Sequence, residues 1–143
     1  VINILNSTIA DNEVDVSGAA IFGDMKNVEM NIYNSIIEDN DPFSFYLANN
    51  DVSQPIVVNM HNSLLKNGDA AVYTSMPEAN IFNWHEGNLT DDPNFMETGE
   101  FPYELAANSP AIDAGKKNLI RSDIKNAKQN SECFFCPDWG LGW

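Results

Sequence analysis

The chain has 143 residues, 43% of them hydrophobic, and 7 Lys plus Arg against 21 Asp plus Glu, for a formal net charge of −14. A surface this negative repels nucleic acid and anionic membranes, so both are poor partners and no nucleic acid is expected, while the apolar content suffices for one core of ordinary size. No run of 18 apolar residues occurs, so no helical membrane span or direct membrane insertion is expected.

Read from Val1, apolar residues alternate with polar ones. Ile2 and Ile4 flank Asn3, Met30 and Ile32 flank Asn31, and Val58 and Met60 flank Asn59. A period of two predicts short strands with those aliphatics on one face. Each strand is followed by an Asn-Ser pair: Asn6-Ser7, Asn34-Ser35 and Asn62-Ser63, at intervals of 28 residues. Two positions beyond each Ser stands Ile9, Ile37 or Leu65, which predicts a second strand. A polar turn then follows: "DN" at 11–12, "DN" at 39–40 and "NG" at 67–68. A third strand is predicted in "AAIF" (19–22), "FYLA" (45–48) and "AVYT" (71–74).

A repeat of this length is the mark of a solenoid, and three short strands per repeat predict a right-handed parallel β-helix over residues 1–90. Helical spacing is absent, which disfavours a leucine-rich or helical repeat. Asn tolerates left-handed backbone better than other non-glycine residues, so Asn6, Asn34 and Asn62 are expected at a sharp bend. Their amides are expected to stack as a ladder with Ser7, Ser35 and Ser63 beside them, at about the 4.8 Å spacing of neighbouring strands. The Asn-Ser phrase is therefore structural, and Asn6 is a poor glycosylation acceptor. A fourth, irregular coil spans "ANIFNWHEGNL" (79–89), where Asn88 is the candidate for the ladder position. Residues 91–143 are expected to form an irregular closing cap.

"DDPNF" (91–95), "PYELAANSPAIDAG" (102–115) and "PDWGLGW" (137–143) resemble the closing segment of secreted bacterial right-handed β-helix proteins. The match covers Asp92–Phe95, Tyr103–Leu105 and Ser109–Gly115, and loosely Asp138–Gly140. The resemblance implies an extracellular or bacterial cell-surface location. It leaves function open, because such proteins include lyases, hydrolases and adhesins. The "CFFC" pair, Cys133 and Cys136, departs from that pattern; the two thiols are expected as a local disulfide or as plain buried groups, since two cannot complete a zinc site.

Candidate chemistry is sparse. The acids gather in turns, and no paired carboxylates with a Lys or Arg partner fall on the repeated strands, so no catalytic residue is assigned. Asp11 and Asp39 share a repeat position and are the weak candidates for calcium, with Glu38 and Asp41 nearby. Lys66 interrupts the acid column in the third coil, where it can pair with Glu38. His61 follows Leu5 and Tyr33 at one outward position, and His85 lies beside Glu86; neither is read as a ligand. Phe22, Tyr46 and Tyr73 recur at one place in successive third strands and are the candidate glycan-binding strip, with a packed strip beneath a loop or partner as the competing reading.

These features predict a non-catalytic segment acting in adhesion, glycan contact or extracellular assembly. The alternative is part of a polysaccharide lyase or glycoside hydrolase whose active site lies largely outside the segment. Ile2 and Ile4 face the core from the first coil, so preceding coils of the same polypeptide or a partner chain are expected to cover residues 1–22.

Overall fold

A computed structural model describes residues 1–116; Cys133, Cys136 and the "PDWGLGW" phrase lie outside the described residues. Ten short strands follow in order: β1 (Ile2–Leu5), β2 (Thr8–Ala10), β3 (Ile21–Gly23), β4 (Val28–Tyr33), β5 (Ile36–Glu38), β6 (Phe45–Leu47), β7 (Ile56–His61), β8 (Leu64–Leu65), β9 (Val72–Thr74) and β10 (Asn80–Trp84). A single 3₁₀ turn, Gly68–Ala71, is the one helical element among the described residues. The strands sort into three parallel sheets, β1-β4-β7-β10, β2-β5-β8 and β3-β6-β9. Each of the first three coils gives one strand to each sheet, the fourth gives β10 to the first sheet alone, and the coils stack in an all-β, solenoid-like arrangement.

The sequence period sets the register. Ile2 pairs with Met30 and Met30 with Val58, while Ile9 pairs with Ile37 and Ile37 with Leu65. Like residues therefore stack in columns inside the coils. Met30, Ile32, Ile37, Phe45, Leu47, Ile56, Val58, Met60 and Leu65 form the buried core, flanked by Ile4, Ile9 and Ile21 on one side and Phe82 on the other. Each fully buried aliphatic here contributes about 1.5–3 kcal/mol. The bends are left-handed, as their residues allow: Asn6, Asn34 and Asn62 have φ of 48°, 49° and 44°. The second bend repeats the device at Asp11, Asp39 and Asn67, with φ of 55°, 43° and 69°.

The hydrogen-bonded ladders differ from the expected one. The side chains of Asn6, Asn34 and Asn62 do not bond to one another; Asn34 instead bonds the backbone of Lys116, donating to its carbonyl at 3.1 Å and accepting its N–H at 2.9 Å. A left-handed bend turns these amides away from the stack. The amide ladder runs one strand earlier, on the outer face of the first sheet. There Asn31 donates to Asn3 at 3.2 Å, Asn59 to Asn31 at 2.9 Å and Asn83 to Asn59 at 2.8 Å. In-register strand side chains are parallel and one strand spacing apart, the geometry an amide chain needs.

The serines form a second ladder with a direction. The Ser7 N–H donates to Ser35 Oγ at 3.2 Å, the Ser35 N–H to Ser63 Oγ at 3.1 Å, and the Ser63 N–H to Asn88 Oδ1 at 2.9 Å. Each hydroxyl in turn donates to the carbonyl two residues back: Leu5, Tyr33 or His61. Asn88 thus replaces the fourth serine, not the fourth bend asparagine. A third ladder joins Asn12 to Asn40, whose Oδ1 accepts from Asn12 Nδ2 at 2.8 Å.

The described part of the closing segment lies along the side of the stack. Ile36 and Leu64, on the outer face of the second sheet, pack against Ala111, with Leu89, Phe95 and Leu105 around them. Phe95 and Leu105 form an antiparallel bridge. The strap reaches the first coil, where the Tyr103 hydroxyl donates to Asp11 Oδ2 at 3.0 Å. It covers a sheet face whose Ile36 and Leu64 would otherwise lie in water.

Candidate functional site

Four surface features carry chemistry. The first is the aromatic column on the third sheet. Phe22 pairs with Tyr46 and Tyr46 with Tyr73. The Phe22 and Tyr46 ring centres are 5.8 Å apart with 22° between planes, and those of Tyr46 and Tyr73 are 4.4 Å apart with 23°. The rings therefore lie face to face along the stack. A sugar needs a free ring face; here the inner faces are taken by neighbouring rings. Phe43, which the repeat does not mark, leans on Tyr73 at 5.5 Å and Tyr46 at 6.5 Å. Burial, then the neighbouring Tyr73, pushes the Tyr46 phenol above its ordinary range. Phe22, 54% exposed, keeps the most accessible ring.

The second feature is an acidic cluster at the second bend. Carboxylate oxygens of Asp11, Glu38 and Asp39 lie within 4.8 Å of one another. Lys66 places its ammonium 3.2 Å from Glu38 Oε2, 2.9 Å from Asp39 Oδ2 and 3.0 Å from Asp92 Oδ2. Burial pulls the Lys66 ammonium down, but its hydrogen bonds to Asp39, Asp92 and Glu38 outweigh this and hold it above its ordinary range. Burial raises the Glu38 carboxyl, against the hydrogen bond from Lys66, and the charge of Asp39 raises it further. The chain thus supplies its own cation to these acids. The oxygen donors suit calcium in kind, but a calcium ion at Asp11 and Asp39 would compete with Lys66.

The third feature is a ring column on the outer face of the first sheet. Leu5, Tyr33 and His61 are in register. Tyr33 and His61 stack at 4.9 Å and 18°, and His61 and His85 at 3.9 Å and 4°. His85 Nε2 lies 3.5 Å from Asn59 Oδ1. Burial, then the neighbouring His85, lowers the His61 imidazole. The His61–His85 contact escapes a reading by period, because the third coil, from β7 to β10, is shorter than the first two; the 24-residue spacing of Asn59 and Asn83 is its trace in the sequence.

The fourth feature is the edge formed by β1, β2 and β3, which lie at the same end of all three sheets. Val1 is 81% exposed, Val16 76%, and Ile2, Val14 and Phe22 are also exposed there. Ile4, Ile9 and Ile21 behind them are only half-buried, unlike their counterparts one coil on.

No helix among the described residues is long and apolar enough to cross a membrane. Comparison with family models, with curated proteins and with solved structures returned no match.

Proposed function

We propose that the chain is a non-catalytic assembly segment of a secreted or cell-surface right-handed parallel β-helix protein, and that the β1–β2–β3 edge docks a further β-coil. The coil belongs to the same polypeptide or to a partner chain. Right-handedness rests on the strong preference of parallel crossovers for that hand. Extracellular placement rests on the resemblance of the closing phrases to those of secreted β-helix proteins.

The observation that carries the reading is the edge itself. Three strand edges with their backbone groups and a rim of aliphatics lie together. Such an edge is a template for further pairing. The serine and asparagine ladders point the same way. Ser35 Oγ accepts the Ser7 N–H and Asn40 Oδ1 accepts the Asn12 N–H. Continued by one step, that polarity makes Ser7 Oγ and Asn12 Oδ1 the acceptors for N–H groups of a docked coil. Ile4, Ile9 and Ile21 supply the apolar columns for it.

Glycan contact is the weaker role. The stacked rings present edges, so the exposed face of Phe22 is the one part of the column suited to a sugar. The enzyme alternative is less supported, since among the described residues Lys66 engages the clustered acids Glu38, Asp39 and Asp92.

The test is a graft. A second copy of residues 1–28 is placed immediately before Val1, where the period puts its Asn and Ser in register. Sedimentation and binding of an apolar dye are measured for both chains. The original chain is expected to self-associate or bind dye and the graft to do so less, with a higher Tm. A monomeric, dye-free original chain whose Tm the graft does not raise overturns the proposal.

A further inference from the structure

We propose that His61 and His85 form an acid-sensitive latch that holds the fourth coil on the third. The carrying observation is the ring contact, 3.9 Å between centres and 4° between planes. One proton fits this arrangement. An imidazolium lies well on a neutral ring, and a protonated His85 Nε2 donates to Asn59 Oδ1, 3.5 Å away. A second proton puts two cations face to face.

Glu86 is the one charge among the described residues that favours protonation of His61, and burial and His85 outweigh it. On β4 the column presents the neutral Tyr33, on β7 the amide of Asn59, and on β10 the amide of Asn83. After β10 comes Glu86, whose carboxylate is 86% exposed and lies 3.6 Å from Lys116 Nζ. At 3.9 Å between ring centres, a charge on one imidazole opposes protonation of the other, so the rings take up protons as one coupled pair rather than independently. The depressed affinity of His61 for a proton, set by burial and by His85, agrees with this.

What the pair holds is a short series of bonds. The His85 N–H donates to the Met60 carbonyl at 3.0 Å. Asn88 Nδ2 donates to the His85 carbonyl at 2.9 Å and the Met60 carbonyl at 2.7 Å. Asn88 Oδ1 then accepts the Ser63 N–H, the last step of the serine ladder. Pushing His85 off His61 pulls on Asn88 and so on the ladder. The fourth coil is the place to open, because β10 is paired on one side only while the strands of the middle coils are paired on both. The latch makes the end of the stack a sensor of acid, independent of what docks at the other edge.

The experiment follows the imidazole Cε1–H signals of the full chain by NMR from pH 8 to 4.5, with amide protection factors at His85 and Asn88. Two separated titration steps are expected. The second should coincide with at least a tenfold loss of protection at His85 and Asn88 while β4 and β7 stay protected. H85F keeps a ring in the stack without the charge, so it should stay protected through the same range. If H85F does not fold at pH 7.5, H85Q serves the same purpose. Glu38 and the other carboxylates are present in every chain, so their titration cancels in the comparison. Two independent single-step titrations, or a neutral variant that loosens in the same pH range, would overturn the latch.

Discussion

Replacing Lys66 by Met removes the cation from the acid cluster and keeps most of the apolar stem. The Glu38 side chain is 8% exposed and that of Lys66 21%, whereas Asp39 and Asp92 are 51% and 56% exposed. Breaking a buried pair by deleting one partner costs about 3–5 kcal/mol, because a charge is left buried without a counter-ion. The two exposed pairs are worth only about 0–1 kcal/mol each. Because Lys66 is itself partly in water, the cost expected for K66M is about 2–3 kcal/mol at pH 7.5. Urea unfolding followed by tryptophan fluorescence measures it.

The pH dependence has a definite sign. Without Lys66, the Glu38 carboxyl rises further above its ordinary value of about 4.3. The folded chain then binds a proton before the unfolded chain does, so the penalty shrinks as pH falls through the raised folded value towards about 4.3. Lys66 contributes in the opposite sense: its raised folded value means stability fully present below about 10.4 and lost as pH rises through that folded value. Calcium separates the two readings of the cluster. If Asp11, Glu38 and Asp39 can hold the ion, calcium should raise the Tm of K66M and leave the parent unchanged. A K66M penalty under about 0.5 kcal/mol, or one that grows on acidification, would refute the reasoning.

Ser35→Ala removes the acceptor of the Ser7 N–H and the donor to the Tyr33 carbonyl, and should cost about 1–3 kcal/mol by urea unfolding. Gly87 has φ of 78°, and a Cβ there would collide with the Asn62 side-chain amide, so Gly87→Ala should cost about 1–3 kcal/mol. Gly99→Ala, where a Cβ meets nothing within 4 Å, should show only the backbone part of that cost. Asn34→Ala should cost about 1–3 kcal/mol, because it loses a left-handed residue and both bonds to Lys116. Incubation with plant, algal and host polysaccharides should release neither reducing ends nor unsaturated sugars; turnover abolished by one acid substitution would restore the enzyme reading.

The repeat made the coils legible, because strand period and 28-residue spacing jointly fix which residue stacks on which. Ile9, Ile37 and Leu65 needed nothing more than that arithmetic to fall into one column. The amide ladder was misplaced for a local reason. A left-handed bend was read correctly at Asn6, Asn34 and Asn62, but the same bend aims their side chains outward. Asn3, Asn31 and Asn59 sit mid-strand, where parallel Cβ vectors bring amides together. The strap was hidden because the exposed aliphatics it covers, Ile36 and Leu64, look like ordinary neighbours of the core residues Ile37 and Leu65. The histidine contact was hidden by the short third coil, which breaks the 28-residue spacing between β7 and β10. The aromatic column was legible in position, but whether rings turn faces or edges to solvent depends on χ angles that spacing does not carry.

The most direct test of edge docking is amide exchange along β1, β2 and β3 in the original chain and in the chain carrying the grafted copy of residues 1–28. The edge account predicts that Ile2–Leu5, Thr8–Ala10 and Ile21–Gly23 exchange readily in the original and become as protected as β4, β5 and β6 in the graft. It also predicts that Ser→Ala at the grafted counterpart of Ser7 leaves this protection largely in place, because the Ser7 Oγ bond needs only the backbone N–H at that position. Equal protection of the first coil in both chains would contradict it.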